Sequence, residues 1–321
     1  MSILWCGGED IDFQGGAAPT IRGALSGRSS YERTSFASFS YMRSNPMATG
    51  ITSGWASCFC GFSANYTGSY FGFGNFGENK GLYLGAGSGV WTLRKHDGSS
   101  ESVLYTSTAP APGGIYKFDL QLTSYGAAGT LTAYVNGIQV CTYTGDISLP
   151  SVTDFKCIAC QSHGVSNGAP TDEFAEFIIA DEDTRAFSLV TLYPNAAGDA
   201  NAWTGAYTDI DESTLNDADM VYSNTGDADM QVNLSGLPTG VYSVKAVMAS
   251  ARAYRDAAST PDGLALGIRN GTGGSLDYGV KQTLSTSWTT YNRLMTTNPV
   301  TAAAWAVSEI AGLQLNLRAK T

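Results

Sequence analysis

The chain has 321 residues, of which 43% are hydrophobic and only 14% charged, with 38 glycines and a net charge of −10. Length and apolar content suit two folded domains and exclude a disordered chain. No basic run exceeds Arg94-Lys95, which excludes binding through the phosphates of a nucleic acid, and no apolar run reaches the 18 residues of a membrane span.

The opening Met1-Ser-Ile-Leu-Trp-Cys-Gly-Gly-Glu-Asp10 has neither a basic start nor a long apolar core. No secretory signal is therefore expected, and the chain is expected to fold in a cytoplasm. Glu9-Asp-Ile-Asp-Phe13 is the expected first strand. Cys58 and Cys60 flank Phe59 and share one strand face. In Asn65-Tyr-Thr-Gly-Ser-Tyr-Phe-Gly-Phe-Gly-Asn-Phe-Gly77, alternation of Phe71 and Phe73 with glycine suits a buried strand. Tyr66 and Tyr70 there are candidates to stack on a sugar or anchor an interface. Gly81-Leu-Tyr-Leu84 and Val90-Trp-Thr-Leu-Arg94 flank a glycine turn, and Val103-Leu-Tyr-Thr106 follows the turn at His96-Asp-Gly-Ser-Ser100. In Tyr116-Lys-Phe-Asp-Leu-Gln-Leu-Thr123, Tyr116, Phe118, Leu120 and Leu122 alternate with Lys117, Asp119 and Gln121, the pattern of a half-buried strand. Asn136-Gly137 between two β-branched runs predicts a two-residue type I′ hairpin, whose central residues both need positive φ.

Cys157-Ile-Ala-Cys160 reads as strand rather than as a knuckle on a turn. The six cysteines are accordingly expected as buried free thiols and not as a metal site or disulfides. Glu173-Phe-Ala-Glu-Phe-Ile-Ile179 should pair antiparallel with the first strand. Strict alternation sets Phe174, Glu176 and Ile178 on one face and Phe177 and Ile179 on the other, so both faces should be covered, the second by residues 186–321. The first domain thus spans residues 1–185.

Residues 186–321 form the second domain. No Lys or Arg occurs from 186 to 244, and eight acidic residues fall between Asp199 and Asp229. Strands are expected at Met230-Gln-Val-Asn-Leu234, Val241–Met248, Leu264–Arg269, Trp288–Thr297 and Leu313–Arg318, with one helical turn at Ser308–Leu313.

The order of the Tyr-Val-Asn-Gly hairpin and the closing Asp172-Glu-Phe-Ala-Glu-Phe strand resembles the laminin-G and concanavalin-A-like jelly rolls over residues 1–185. The layout of the second domain is similar to a galactose-binding-like jelly roll. The implied fold class is all-β, as two β-sandwiches. Taken whole, the chain resembles two-domain accessory virion proteins of tailed bacteriophages. The residues that carry this likeness are Ile3-Leu-Trp-Cys-Gly-Gly-Glu-Asp-Ile-Asp-Phe13, Ala180-Asp-Glu-Asp-Thr-Arg-Ala-Phe-Ser-Leu-Val190, Trp288-Thr-Thr-Tyr291, Thr297-Asn-Pro-Val-Thr-Ala-Ala-Ala-Trp305 and Ile310-Ala-Gly-Leu-Gln-Leu315. This resemblance implies a non-enzymatic decoration, fibre or tail-associated component of the virion, homo-oligomeric and in contact with other virion proteins.

Catalytic groupings are sparse. His96 and His163 each precede a turn residue and are expected as solvated loop histidines. Glu9-Asp-Ile-Asp12 and Asp172-Glu-Phe-Ala-Glu176 only superficially match the paired carboxylates of jelly-roll glycosidases, because Glu173 and Glu176 do not share a face. A polysaccharide hydrolase or lyase is thus the third reading. The second is a lectin-like adhesion module for host surface glycans, with Trp203, Tyr207 and Trp305 as further aromatic candidates in loop-like contexts. Asp209, Asp211, Asp217 and Asp219 supply carboxylates for a calcium site, although Thr214 and Met220 stand where an EF-hand needs Gly and Glu. No other cofactor is expected.

Overall fold

The computed structural model describes residues 3–7, 13–14, 41–47, 49–62, 69–75, 80–162, 173–212, 216–240, 243–256 and 260–321. Two compact units emerge, Met1–Leu189 and Val190–Thr321. The first contains β1 (Ile3–Gly7), β2 (Phe13–Gln14), β3 (Tyr41–Ser44), β4 (Gly54–Phe62), β5 (Ser69–Gly74), β6 (Lys80–Gly87), β7 (Val90–Asp97), β8 (Glu101–Pro110), β9 (Gly114–Ser124), β10 (Gly129–Val135), β11 (Ile138–Gly145), β12 (Cys157–Ser162) and β13 (Glu173–Ala180). The second contains β14 (Pro194–Asn201), β15 (Asp229–Leu234), β16 (Val247–Ala253), β17 (Gly263–Asn270), β18 (Leu276–Asp277), β19 (Lys281–Thr283), β20 (Thr289–Met295), the single-turn helix α1 (Val307–Ile310) and β21 (Leu313–Lys320). The chain is all-β, with antiparallel sheets in both units.

In the first unit, one sheet runs β1-β13-β4-β9-β10-β11 and the other β2-β3-β12-β5-β6-β7-β8. Alternate residues of each point into one shared core. Cys58, Cys60, Phe118, Leu120 and Leu131 come from the first sheet, and Phe71, Phe73, Leu82, Leu84 and Ile158 from the second. Phe71 and Phe73 are therefore core, and the glycine between them and one on the neighbouring strand have a steric reason. A Cβ on Gly72 would stand 1.9 Å from the Leu82 carbonyl oxygen, and one on Gly81 would stand 2.5 Å from the Tyr83 hydroxyl. Asn136 (φ 48°) and Gly137 (φ 78°) form the expected hairpin turn between β10 and β11. All six cysteines are buried and none is in a disulfide, and burial pushes the Cys58 thiol well above its ordinary range.

Two expectations at the edge of the first sheet need correction. The strand paired with β13 is Ile3–Gly7, through Ile3↔Ala180 and Gly7↔Phe177. Residues 9–12 lie outside the described residues, and Phe13 pairs with Ser44 in the other sheet. Strict alternation also fails along β13, because its register against β4 shifts between Ala175 and Ile178, with Glu176 at φ 53°. That bulge resets the phase, so Phe174, Phe177 and Ile179 all enter the core.

The outer face of this first sheet is covered from within the same unit. Lys117 and Asp119, expected on a solvated face, are buried. Lys117 Nζ donates to the carbonyls of Thr184 (2.7 Å), Arg185 (3.0 Å) and Phe187, and stands 4.0 Å from Asp119 Oδ1. Thr184 Oγ1 donates to Asp119 Oδ1 at 2.7 Å, and Glu176 Oε2 accepts from the Leu189 amide. Arg185 lies over Tyr134, 4.6 Å from the ring centroid, where Tyr134 stacks on Trp55. Residues 184–189, of which 186–189 belong to the stretch expected to cover this face, thus lie over it.

The second unit has one sheet in the order β14-β15-β21-β17-β18, with β19 also on β17, and a two-stranded ribbon β16–β20. Met230, Val232, Leu266 and Leu317 of the sheet meet Ala249 and Met295 of the ribbon in a separate core. The helical turn expected before the last strand is α1.

Candidate functional site

Among the described residues, a cleft of about 380 Å³ opens between the β7–β8 turn and the segment after β11, lined by Lys95, Asp97, Ser100, Ser102, Asp146, Ser148, Leu149 and Pro150. The segment is pinned by alternation. Ile147 and Leu149 are buried in the core, which turns Asp146, Ser148 and Pro150 outward. Backbone groups of the segment are tied down as well. Lys80 Nζ donates to the Pro150 carbonyl (2.8 Å), the Leu149 amide donates to Tyr125 Oη (2.8 Å), and Lys95 Nζ donates to the carbonyls of Asp146 (3.2 Å) and Ser148 (3.4 Å).

Each wall carries the same local device, an aspartate two residues before a serine. Asp97 Oδ1 accepts from the amides of Ser99 (2.9 Å) and Ser100 (2.7 Å), and Oδ2 accepts from Ser100 Oγ. Asp146 Oδ1 accepts from the amide and hydroxyl of Ser148. The Ser100 amide, with help from Ser99, holds Asp97 far below the usual carboxylate range. The Ser148 hydroxyl, and then its amide, lower Asp146 as well. Both carboxyls are ionised acceptors at neutral pH. The cleft therefore offers carboxylate oxygens, one ammonium and three serine hydroxyls on a rigid frame. Such a set exchanges hydrogen bonds with the hydroxyls of a polyol and lacks a carboxyl poised to give up a proton.

Among the described residues, none of the aromatic or acidic candidates from the sequence lines this cleft. Tyr66 lies outside the described residues, and the Tyr70 backbone sits in β5 opposite Gly85 and Gln161. Trp203 and Tyr207 pack partly buried against the second core, with Trp203 Nε1 donating to the Ala228 carbonyl. Trp305 is in a loop by backbone, but its ring is core. It is only 5% exposed, and Nε1 donates to the Met295 carbonyl at 2.8 Å. His163 is outside the described residues. His96 is on β7 and buried, not a solvated loop histidine, with Nδ1 accepting from the Gly98 amide.

The acidic candidates are not drawn to one point. Asp209 Oδ2 accepts from the Ala206 amide, and Asp217 pairs with Arg252. Partial desolvation, and then the adjoining Asp219 and Asp211 carboxyls, push Glu212 upward. Among the described residues, no three His, Cys, Asp or Glu side chains gather as a metal site. Glu176, one of the two carboxyl candidates on β13, is buried and accepts from the Leu189 amide. Among the described residues, no helix is long and apolar enough to cross a membrane.

The cleft residues were not singled out by sequence reasoning. The signal was present in the repeated Asp-x-Ser of Asp97-Gly-Ser99 and Asp146-Ile-Ser148, but nothing in the sequence sets the two segments side by side.

No protein-family model and no curated protein sequence matches the chain. Among solved structures, it is similar to the carbohydrate-binding module CBM66 from Bacillus subtilis, with a TM-score of 0.38 and 9% identity over 53% of this chain and 95% of that one. The conserved carbohydrate esterase vb_24B_21 of the Shiga toxin-encoding bacteriophage phi24B gives a TM-score of 0.37 and 10% identity over 57% and 99%. Domain 4 of AbnA, an extracellular arabinanase from Geobacillus stearothermophilus in complex with arabinotriose, gives a TM-score of 0.34 and 15% identity over 55% and 81%.

Proposed function

We propose that this chain is a non-enzymatic glycan-binding protein whose first unit takes an uncharged saccharide in the cleft between the β7–β8 turn and residues 146–150. The observation that carries this reading is the pinned polar frame. Hydroxyl, ammonium and carboxylate groups line one cleft, and their backbone is tied down by Lys80, Lys95 and Tyr125. A frame that is already ordered binds without a large entropic cost. Glycoside hydrolysis needs one carboxyl raised to act as general acid, and Asp97 and Asp146 are shifted the opposite way. Calcium is not required in this reading, because Asp209 and Asp217 already serve protein donors.

A glycan array read with the full chain, with and without calcium, tests it. Binding to neutral glycans that is indifferent to calcium and is lost in a Lys95→Met/Asp146→Asn variant is expected. An empty array, or binding unchanged in that variant, contradicts it.

The opening and closing motifs favour a second, compatible reading. In it the chain is an accessory virion protein of a tailed bacteriophage, acting on the particle with other virion proteins. Many symmetric copies would convert weak single sites into firm adhesion. Stoichiometric presence in purified particles, measured by mass spectrometry, is the expected result, and absence from the particle overturns it.

A further inference from the structure

The two aspartates of the cleft in the first unit have different parts, because their hydrogen bonds differ. Both oxygens of Asp97 are occupied by the turn it closes, Oδ1 by the amides of Ser99 and Ser100 and Oδ2 by the Ser100 hydroxyl. Asp146 instead takes both local donors, the Ser148 amide at 2.9 Å and the Ser148 hydroxyl, on Oδ1 alone. Its Oδ2 stands 3.9 Å from Lys95 Nζ, beyond hydrogen-bond reach, and 60% of the side chain stays in water. Lys95 uses two of its three N–H groups on the carbonyls of Asp146 (3.2 Å) and Ser148 (3.4 Å). Among the described residues, the third N–H and Asp146 Oδ2 have no hydrogen-bond partner. Ser102, exposed and directly across the β7–β8 ladder from Lys95, borders the same space.

We infer that Lys95 and Asp146 are the specificity-determining pair of this cleft and select glycans that carry an unsubstituted vicinal diol, an inference that rests on the glycan reading of the cleft. The oxygens of a gauche diol stand about one hydrogen-bond length apart. One hydroxyl accepts from Lys95 Nζ and its neighbour donates to Asp146 Oδ2, so the diol spans the 3.9 Å gap. A lone hydroxyl reaching both groups must pinch its two hydrogen bonds to about a right angle. The diol gives each charged group a hydroxyl of its own, and hydrogen bonds to ionised groups are the stronger kind. Both partners are fixed beforehand, Lys95 by two carbonyls and Asp146 by Ser148, so little order is lost on binding. Linkage matters in consequence. A hexopyranose substituted at O4 within a chain keeps adjacent hydroxyls on carbons 2 and 3, whereas one substituted at O3 keeps no adjacent pair.

The test titrates the full chain with the methyl pyranosides of glucose, galactose and mannose and with the 3-O-methyl and 6-O-methyl ethers of each, following the Ser102 and Ser148 amide signals by NMR. The two ethers of a sugar have the same mass and the same number of free hydroxyls. Methylation at O3 leaves no adjacent pair, while methylation at O6 leaves every vicinal diol intact. For at least one sugar, the 6-O-methyl ether should bind as its parent does and the 3-O-methyl ether about tenfold more weakly. Asp146→Asn keeps an acceptor for Ser148 but sets an amide nitrogen where Oδ2 stands, and there the two ethers should bind alike. Lys95→Met removes the donor from the other side and should have the same effect. Equal binding of the two ethers to the unaltered chain, or a preference that survives in both variants, overturns the diol and leaves the glycan reading standing. No shift with any of these sugars also overturns it, and an empty glycan array beside that result removes the glycan reading as well.

Discussion

Lys117 shows why a period-2 pattern describes a strand without describing its surroundings. The sequence sets Lys117, Asp119 and Gln121 on one face of β9, and they do lie on the face away from the core. What alternation cannot reveal is that residues 184–187 return to that face and take the ammonium as donor to three carbonyls. Lys117→Met leaves those carbonyls and the Asp119 carboxylate without their cation, and should cost about 3–5 kcal/mol in a urea titration of the full chain. Adding Asp119→Leu should recover part of that loss. A single variant with no measurable loss would refute the assigned role. Asp119 also sets a pH dependence. Burial raises its folded-state value above 3.8, with Lys117 and Thr184 opposing it. A raised carboxyl holds its proton longer in the folded state. Its contribution to stability therefore falls as pH rises from the unfolded value through the folded one. An Asp119→Asn variant should lose that slope, and identical pH–stability profiles for the two proteins would contradict the assignment.

At the scale of elements, turn chemistry was the most legible feature. Asn136-Gly137 specifies its hairpin because only residues tolerant of positive φ fit both positions. A Cβ on Gly137 would meet nothing within 4 Å. Gly137→Ala should accordingly cost about 1–2 kcal/mol through backbone strain alone. Thermal unfolding of the variant measures it, and a neutral result would contradict the strained turn. The strand that pairs with β13 was less legible. Both Ile3–Gly7 and Glu9–Phe13 are credible strand sequences, and choosing between them requires the long-range register. The bulge at Glu176 was hidden for a related reason, since a non-glycine residue at positive φ leaves no local mark. The acidic stretch also reads differently in three dimensions. Asp199, Asp217, Asp227 and Asp229 meet Arg269, Arg252 and Arg318 from later in the chain, so half of the acidic residues in a cation-free sequence segment are matched by distant strands. The cleft in the first unit was invisible for the same reason, because its walls come from residues 95–102 and 146–150.

At the scale of the molecule, each unit owns a core, and the cover of the first unit's outer face belongs to that unit. A fragment spanning 1–189 should fold as a soluble monomer. A fragment ending at 182 lacks the residues that bind Lys117 and Asp119, and should be less stable and self-associate. Light scattering and urea titration of the two fragments decide this, and equal behaviour would show that residues 183–189 cover nothing of consequence. The central claim, saccharide recognition without turnover, is tested most directly by proton NMR of a neutral oligosaccharide selected on the array and mixed with the full chain. The account predicts broadened sugar resonances that sharpen in the Lys95→Met/Asp146→Asn variant, with anomeric signals unchanged over days. New reducing-end anomeric signals, or sugar lines as sharp with the protein as without it, would contradict it.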